Sequence, residues 1–267
     1  MRLDMKIAIF GAKDGRYVKN ELEKNSQVEV CCLIDNNPKI QNEIIISAEH
    51  AVQLYETDQI DAIIVAVRNV YNRWSITNQL QKKGVTKIGL VKPSAITYQW
   101  PINIEEITWI DELKKPLIQY LEIHASDSCN LNCKGCLHFS NLYKCEEMPD
   151  MEQLLKDVKH LSEKAHIFHF RVLGGEPLLN PNLPKILDGL RELLPDSDIG
   201  IVTNGTLITR QSKELFDCMN KNKIGFNITL YPPTHNQKED IYQVLEEHGV
   251  SYGSHIAKVD EFSKGFK

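Results

Sequence analysis

The chain has 267 residues, 42% of them hydrophobic and 25% charged, a globular composition long enough for two domains of ordinary size. No apolar run approaches the roughly 20 residues that a bilayer span needs, and the start, MRLDMKIAIFGA, lacks a secretory leader, so a cytoplasmic protein without a membrane is expected. Residues 1–115 carry 15 basic and 15 acidic side chains, which leaves the whole net charge of −5 on residues 116–267 and argues against a nucleic-acid surface.

The first hundred residues alternate strand-like and helix-like segments. KIAIFG, VEVCCLID, DAIIVAV and TKIGLV are short apolar runs, with helical stretches at GRYVKNELEKN and around 48–56 and 70–83. Such runs flanked by helices predict a doubly wound parallel sheet, a Rossmann-like domain. Gly11-Ala-Lys-Asp-Gly15 follows the first strand and opens a helix, and Asp35 closes the second strand about twenty residues later. That layout suits a nucleotide or nucleotide sugar, its phosphate on Gly11–Gly15 and its ribose on Asp35. The full three-glycine fingerprint is absent, so a purely structural or partner-docking role is the competing reading. Cys31 and Cys32, in an apolar run, are expected to be buried strand residues. Residues 93–117, with Pro93, Pro101 and Pro116, read as a linker that packs on both halves. The expected domains are 1–115 and 116–267.

The second half alternates again. LIQYLEIHAS, IFHFRVL, DIGIVT and GFNITLY read as strands and SYGSHI as a fifth, with helices expected at 150–165, 183–194, 211–222 and 237–248. Repeated βα units of this kind predict a partial (β/α) barrel. At the first of these helices Asp150 is placed to cap and Gln153 to complete a capping box. Strand alternation sets Phe226, Ile228 and Leu230 against Asn227, Thr229 and Tyr231, and Phe170 and Val172 against His169 and Arg171. The polar faces would line a lumen.

Seven cysteines, an odd number, do not form a disulfide framework, and three of them lie close together as Cys129-x3-Cys133-x2-Cys136 after the first strand of this half. Soft thiolates favour zinc, copper(I) or an iron–sulfur cluster. Three ligands leave one cluster iron open; closed structural zinc would need a fourth ligand such as Cys145 or His138.

The segment resembles the radical SAM superfamily. Gly174-Gly175-Glu176-Pro177 after the second strand is similar to that family's GGEP motif, and Thr203-Asn204-Gly205 to its TNG turn. Position 135 departs from the pattern: Gly135 stands where the family usually has an aromatic residue, and His138 or Phe139 would replace it beside the adenine. The resemblance implies a 4Fe–4S cluster on Cys129, Cys133 and Cys136, with S-adenosylmethionine (SAM) on the open iron. Gly174, Gly175 and the Glu176 carboxylate would meet the methionine amine, with Asn204 nearby and Asn227 and Thr229 at the ribose. It further implies one-electron cleavage of SAM to a 5′-deoxyadenosyl radical that abstracts hydrogen from a substrate. The electron would come from a ferredoxin or flavodoxin, and peptide, sugar and nucleotide substrates are all compatible. About five barrel strands are visible where the family usually has six. The barrel of 116–267 is therefore expected to be incomplete at its C-terminus, and a non-catalytic remnant acting as a nucleotide-binding or partner-docking module is the alternative.

Overall fold

The structure, a computed structural model, describes residues 5–133, 135–140, 142 and 148–257. The chain divides into two compact units, Met1–Gln119 and Tyr120–Lys267.

The first unit holds strands β1 (Met5–Phe10), β2 (Val28–Ile34), β3 (Ile45–Ile46), β4 (Ala62–Val65), β5 (Ile88–Leu90) and β6 (Thr108–Trp109) in one sheet of order β3-β2-β1-β4-β5-β6. All neighbours run parallel except β5 and β6, which are antiparallel. Helices α1 (Ala12–Asn25), α2 (Ala48–Glu56) and α3 (Val70–Lys82) connect the strands, with a short α4 (Pro93–Thr97) after β5. The order reverses between β1 and β4, as in a doubly wound fold. Ile7, Ile9, Ile64, Val18 and Leu22 are fully buried, which is why β1 and β4 read as continuous apolar runs. Residues 93–117, expected to link the halves, instead supply β6 and bring Ile96, Ile102 and Ile107 into this core.

The glycine loop sits as expected between β1 and α1, yet its side chains are engaged locally. A Cβ on Gly15 would meet Ile9 Cγ2 at 3.1 Å and Leu33 Cδ2 at 3.4 Å, so this glycine brings α1 close to the sheet. The Asp35 carboxylate accepts the Asn37 N–H at 2.9 Å, closing a turn after β2. Asp14, in the first turn of α1, accepts a hydrogen bond from Arg68 Nε at 3.0 Å. Of the two cysteines in β2 only Cys32 is buried. Cys31 is exposed, because strand alternation turns it with Glu29 to the opposite face from Val30 and Cys32.

The second unit has five parallel strands, β7 (Leu121–Ser126), β8 (His169–Gly174), β9 (Asp198–Thr203), β10 (Gly225–Leu230) and β11 (Tyr252–Ile256), each beside its neighbour in sequence. Helices α5 (Met151–Ser162), α6 (Leu183–Leu193), α7 (Lys213–Lys221) and α8 (Lys238–Glu247) alternate with them. Phe170, Val172, Phe226, Ile228 and Leu230 are all buried, while Asn227 and Thr229 on the other face of β10 are half-buried. His169 departs from the expected polar face: it is buried, 3.8 Å from the buried Asp198 carboxylate. Asp150 caps α5 through the N–H groups of Glu152 and Gln153. Gln153 does not close the capping box; its amide binds Asp157 one turn ahead. Among the described residues no helix is long and apolar enough to cross a membrane.

Candidate functional site

Parallel strands in one sheet release their loops at a common end, so the chain after β7, β8, β9 and β10 converges above the C-terminal edge of the second sheet. The loop after β7 carries the three cysteines, and the loop after β8 carries Gly174-Gly175-Glu176. Backbone bonds join these two loops. Gly175 N–H donates to Ser126 O at 2.7 Å and Glu176 N–H to Ser128 O at 2.9 Å, while the Asn180 amide reaches Ala125 O at 2.6 Å.

Glycine is required at both positions by this approach. Gly174 has φ of +131°, and a Cβ there would lie 2.1 Å from Ser126 O; at Gly175 it would lie 2.2 Å from Ser128 O. Both clashes are with backbone, which has nowhere to go. The glycines are thus needed first to seat one loop on the other.

Glu176 is fully buried. Its Oε1 accepts the Leu178 N–H at 3.1 Å and the Thr203 hydroxyl at 2.7 Å, and its Oε2 accepts the Asn204 N–H at 2.9 Å. Burial pushes the carboxyl above its ordinary value, and the donors from Asn204, Thr203 and Leu178 pull it back. Thr203 in turn accepts the Gly205 N–H at 3.0 Å. The carboxylate therefore clamps the GGEP turn to the TNG turn. All three donors come from its own chain, and Glu176 is the residue expected at the methionine amine.

A cavity of about 260 Å³ opens above these turns. Cys129, Cys133, Cys136, Gly174, Gly175, Asn204 and Thr229 all line it. Of the expected residues, Glu176 and Asn227 do not; the Asn227 amide lies beside Gly200, 3.1 Å from where a Cβ would stand. Gly135 and His138 line the cavity, whereas Phe139 is exposed. Tyr231, the residue after β10 and two beyond Thr229, also reaches the cavity, and the period-two pattern already points to it.

The three cysteines are free thiols and half-buried. Burial raises the Cys129 thiol, against the Leu131 N–H that approaches its sulfur at 3.4 Å. Cys133 is raised by burial and then by the neighbouring thiols, and Tyr231 by burial and the same thiols. Among the described residues no three His, Cys, Asp or Glu side chains gather tightly enough to hold a single metal ion. Three thiols lining a shared cavity are a donor set that fits an iron–sulfur cluster. Cys145, a possible fourth zinc ligand, lies outside the described residues. His124 is held between Asp127, at 2.7 Å, and His138 Nδ1, at 3.1 Å, so this side of the cavity is polar.

Several known proteins are similar to this chain. The GTP 3',8-cyclase of Staphylococcus carnosus (strain TM300) is 32% identical over 123 residues, covering 43% of this chain and 34% of that protein. The GTP 3',8-cyclase of Thermodesulfovibrio yellowstonii is 34% identical over 103 residues, covering 38% of this chain and 32% of that enzyme. The chain thus spans about a third of the length of these curated relatives. Among solved structures, native anSMEcpe with bound AdoMet matches with a TM-score of 0.41 and 23% identity, over 52% of this chain and 43% of that one. BtrN in complex with AdoMet and 2-DOIA matches with a TM-score of 0.39 and 20% identity, over 53% of this chain and 58% of that one. The family profile described as Radical SAM superfamily matches residues 123–255, from β7 to β11. Through that segment the chain belongs to the radical SAM superfamily, whose cofactors are a 4Fe–4S cluster and SAM.

Proposed function

We propose that the second unit binds a 4Fe–4S cluster and SAM and cleaves SAM reductively to start a hydrogen abstraction. The observation that carries this reading is the single cavity shared by Cys129, Cys133, Cys136 and the glycine turn. When bound, the cluster supplies one electron to SAM, whose 5′-deoxyadenosyl fragment then takes hydrogen from a substrate.

The chain's own residues hold and orient. The three cysteines, as thiolates, would hold the cluster, and their number would leave it open to SAM. Gly174 and Gly175 offer backbone to the methionine end, with no side chain between them and the ligand. Glu176 keeps that turn in place from below. Thr229, one of the two residues expected at the ribose, and Tyr231 offer polar groups to the rest of SAM, and Asn204 lines the cavity beside Cys129. Gly135 leaves space at the loop, with His138 beside it as a flat ring for adenine. A cytoplasmic setting and a ferredoxin or flavodoxin donor belong to the same reading. GTP, on which the similar cyclases are named to act, is the first substrate to try.

Anaerobic reconstitution with iron and sulfide tests the proposal. The chain should acquire the broad visible absorbance of a 4Fe–4S cluster and, with dithionite and SAM, release 5′-deoxyadenosine and methionine. Alanine at Cys129, Cys133 or Cys136 should abolish both. A loaded chain that leaves SAM intact would refute the catalytic reading in favour of a non-catalytic remnant.

A further inference from the structure

Asn130 in the cysteine loop, together with Asn204 and Thr206 in the turn after β9, closes a ring of hydrogen bonds. Asn204 Nδ2 donates to Asn130 Oδ1 at 2.8 Å. Asn130 Nδ2 donates to Thr206 Oγ1 at 2.6 Å, and Thr206 Oγ1 donates to Asn204 Oδ1 at 2.5 Å. Every donor in the ring meets an acceptor, so flipping either amide would set donor against donor. The Thr206 N–H fixes the same Asn204 oxygen a second time, at 3.0 Å. Held in this sense, Asn204 Nδ2 also approaches Cys129 Sγ at 3.9 Å, and Asn130 Oδ1 lies 4.0 Å from the same sulfur, so the sign at that sulfur depends on which end of Asn204 faces it.

Resting on the cluster site above, we propose that Asn130 and Thr206 are positioning residues. They act through Asn204, keeping an N–H donor rather than a carbonyl oxygen toward the Cys129 sulfur, and so raise the reduction potential of the cluster. The physical reason is the sign of the charge. Reduction adds negative charge that spreads onto the cysteine sulfurs, and a nearby donor stabilises the reduced form more than the oxidised one. An amide without the ring would spend part of its time with oxygen toward the sulfur, and the effect would reverse. The ring also ties the cysteine loop to the TNG turn, 74 residues away in sequence from Asn130 to Asn204.

The discriminating pair is Thr206→Val, which keeps the shape and removes two of the three ring bonds, and Thr206→Ser, which keeps the hydroxyl. Both are reconstituted anaerobically beside the unaltered chain and titrated by redox potentiometry with electron paramagnetic resonance detection. Thermal unfolding of the metal-free proteins runs in parallel. The midpoint potential of T206V should move to a more negative value while that of T206S stays with the unaltered chain. A T206V that folds when metal-free yet fails to retain the cluster also supports the proposal if T206S retains it. Equal potentials for T206V and the unaltered chain, at equal iron content, overturn it. Should T206V not fold, Thr206→Ala removes the same hydroxyl with a smaller side chain, with the same shift expected and an unchanged potential again overturning the idea. An unaltered chain that takes up no cluster would sink the cluster site itself, and this proposal with it; that result is read before any variant.

Discussion

Truncating Glu176 to alanine should destabilise the chain in the absence of any cofactor. The carboxylate is fully buried and accepts from the Leu178 N–H, the Asn204 N–H and the Thr203 hydroxyl. Alanine leaves all three donors unpaired, at about 1–3 kcal/mol each when buried, with the sum reduced because the turns relax and the cost of burying a charge disappears. A net loss of about 3–5 kcal/mol follows. Glutamine should cost less, about 1–2 kcal/mol, because its oxygen keeps the Leu178 and Thr203 donors while its amide opposes the Asn204 N–H. The assay is urea unfolding of metal-free protein, reading the midpoint at constant slope. SAM binding to the reconstituted chain should fall only as far as the turn is disordered. If E176A unfolds like the unaltered chain yet loses SAM affinity tenfold or more, the clamp is wrong and the carboxylate faces the ligand.

Gly175→Ala would put a methyl 2.2 Å from Ser128 O, so it should separate the two loops, lower stability by about 2–4 kcal/mol and reduce cluster retention, all readable by unfolding and iron content. Iodoacetamide at pH 8 should modify exposed Cys31 quickly and Cys218 slowly; burial pushes the Cys218 thiol up to about 11, leaving about one molecule in a thousand as reactive thiolate. Rapid labelling of Cys218 in folded protein, read by peptide mass spectrometry, would contradict its packing against the Pro184 carbonyl. Because burial raises Cys129 and Cys133, cluster assembly must expel protons, so loading at limiting iron should improve as pH rises from 7 to 9. In the first unit, Gly15→Val should lower the melting temperature through its contact with Ile9 and Leu33. If the loop also holds a nucleotide, a thermal shift by NAD or a nucleotide sugar should vanish in Asp35→Ala.

Local patterns were the legible part of the sequence. The cysteine spacing lies within eight residues, and the alternation of Phe226, Ile228 and Leu230 with Asn227 and Thr229 lies within one strand, so each could be read from neighbours alone. The inward turn of Glu176 could not, since its partners Thr203 and Asn204 stand 27 and 28 residues away and belong to another strand. The same is true of the two glycines, whose clashing neighbours are Ser126 and Ser128. Asn227 shows the limit of face reasoning: alternation places it with Thr229, but position along the strand decides which of them reaches the cavity. Cys31 departs from its expected burial because an apolar run hides its two faces, and only Glu29, two residues before it, marks the outer one.

The neighbour-by-neighbour order of β7 to β11 has a consequence in time. As the chain is synthesised, Cys129–Cys136 emerges first, the glycine turn that backs it about 40 residues later, and the TNG turn about 70 residues later. At roughly 5–20 residues per second the three thiols wait several seconds before the Asn204 and Thr206 side chains can close over Asn130. During that interval they form an unsupported loop of free thiols, open to oxygen and to stray metal. Until then the cysteine loop lacks the side-chain bonds that tie it to the turn after β9 in the finished fold.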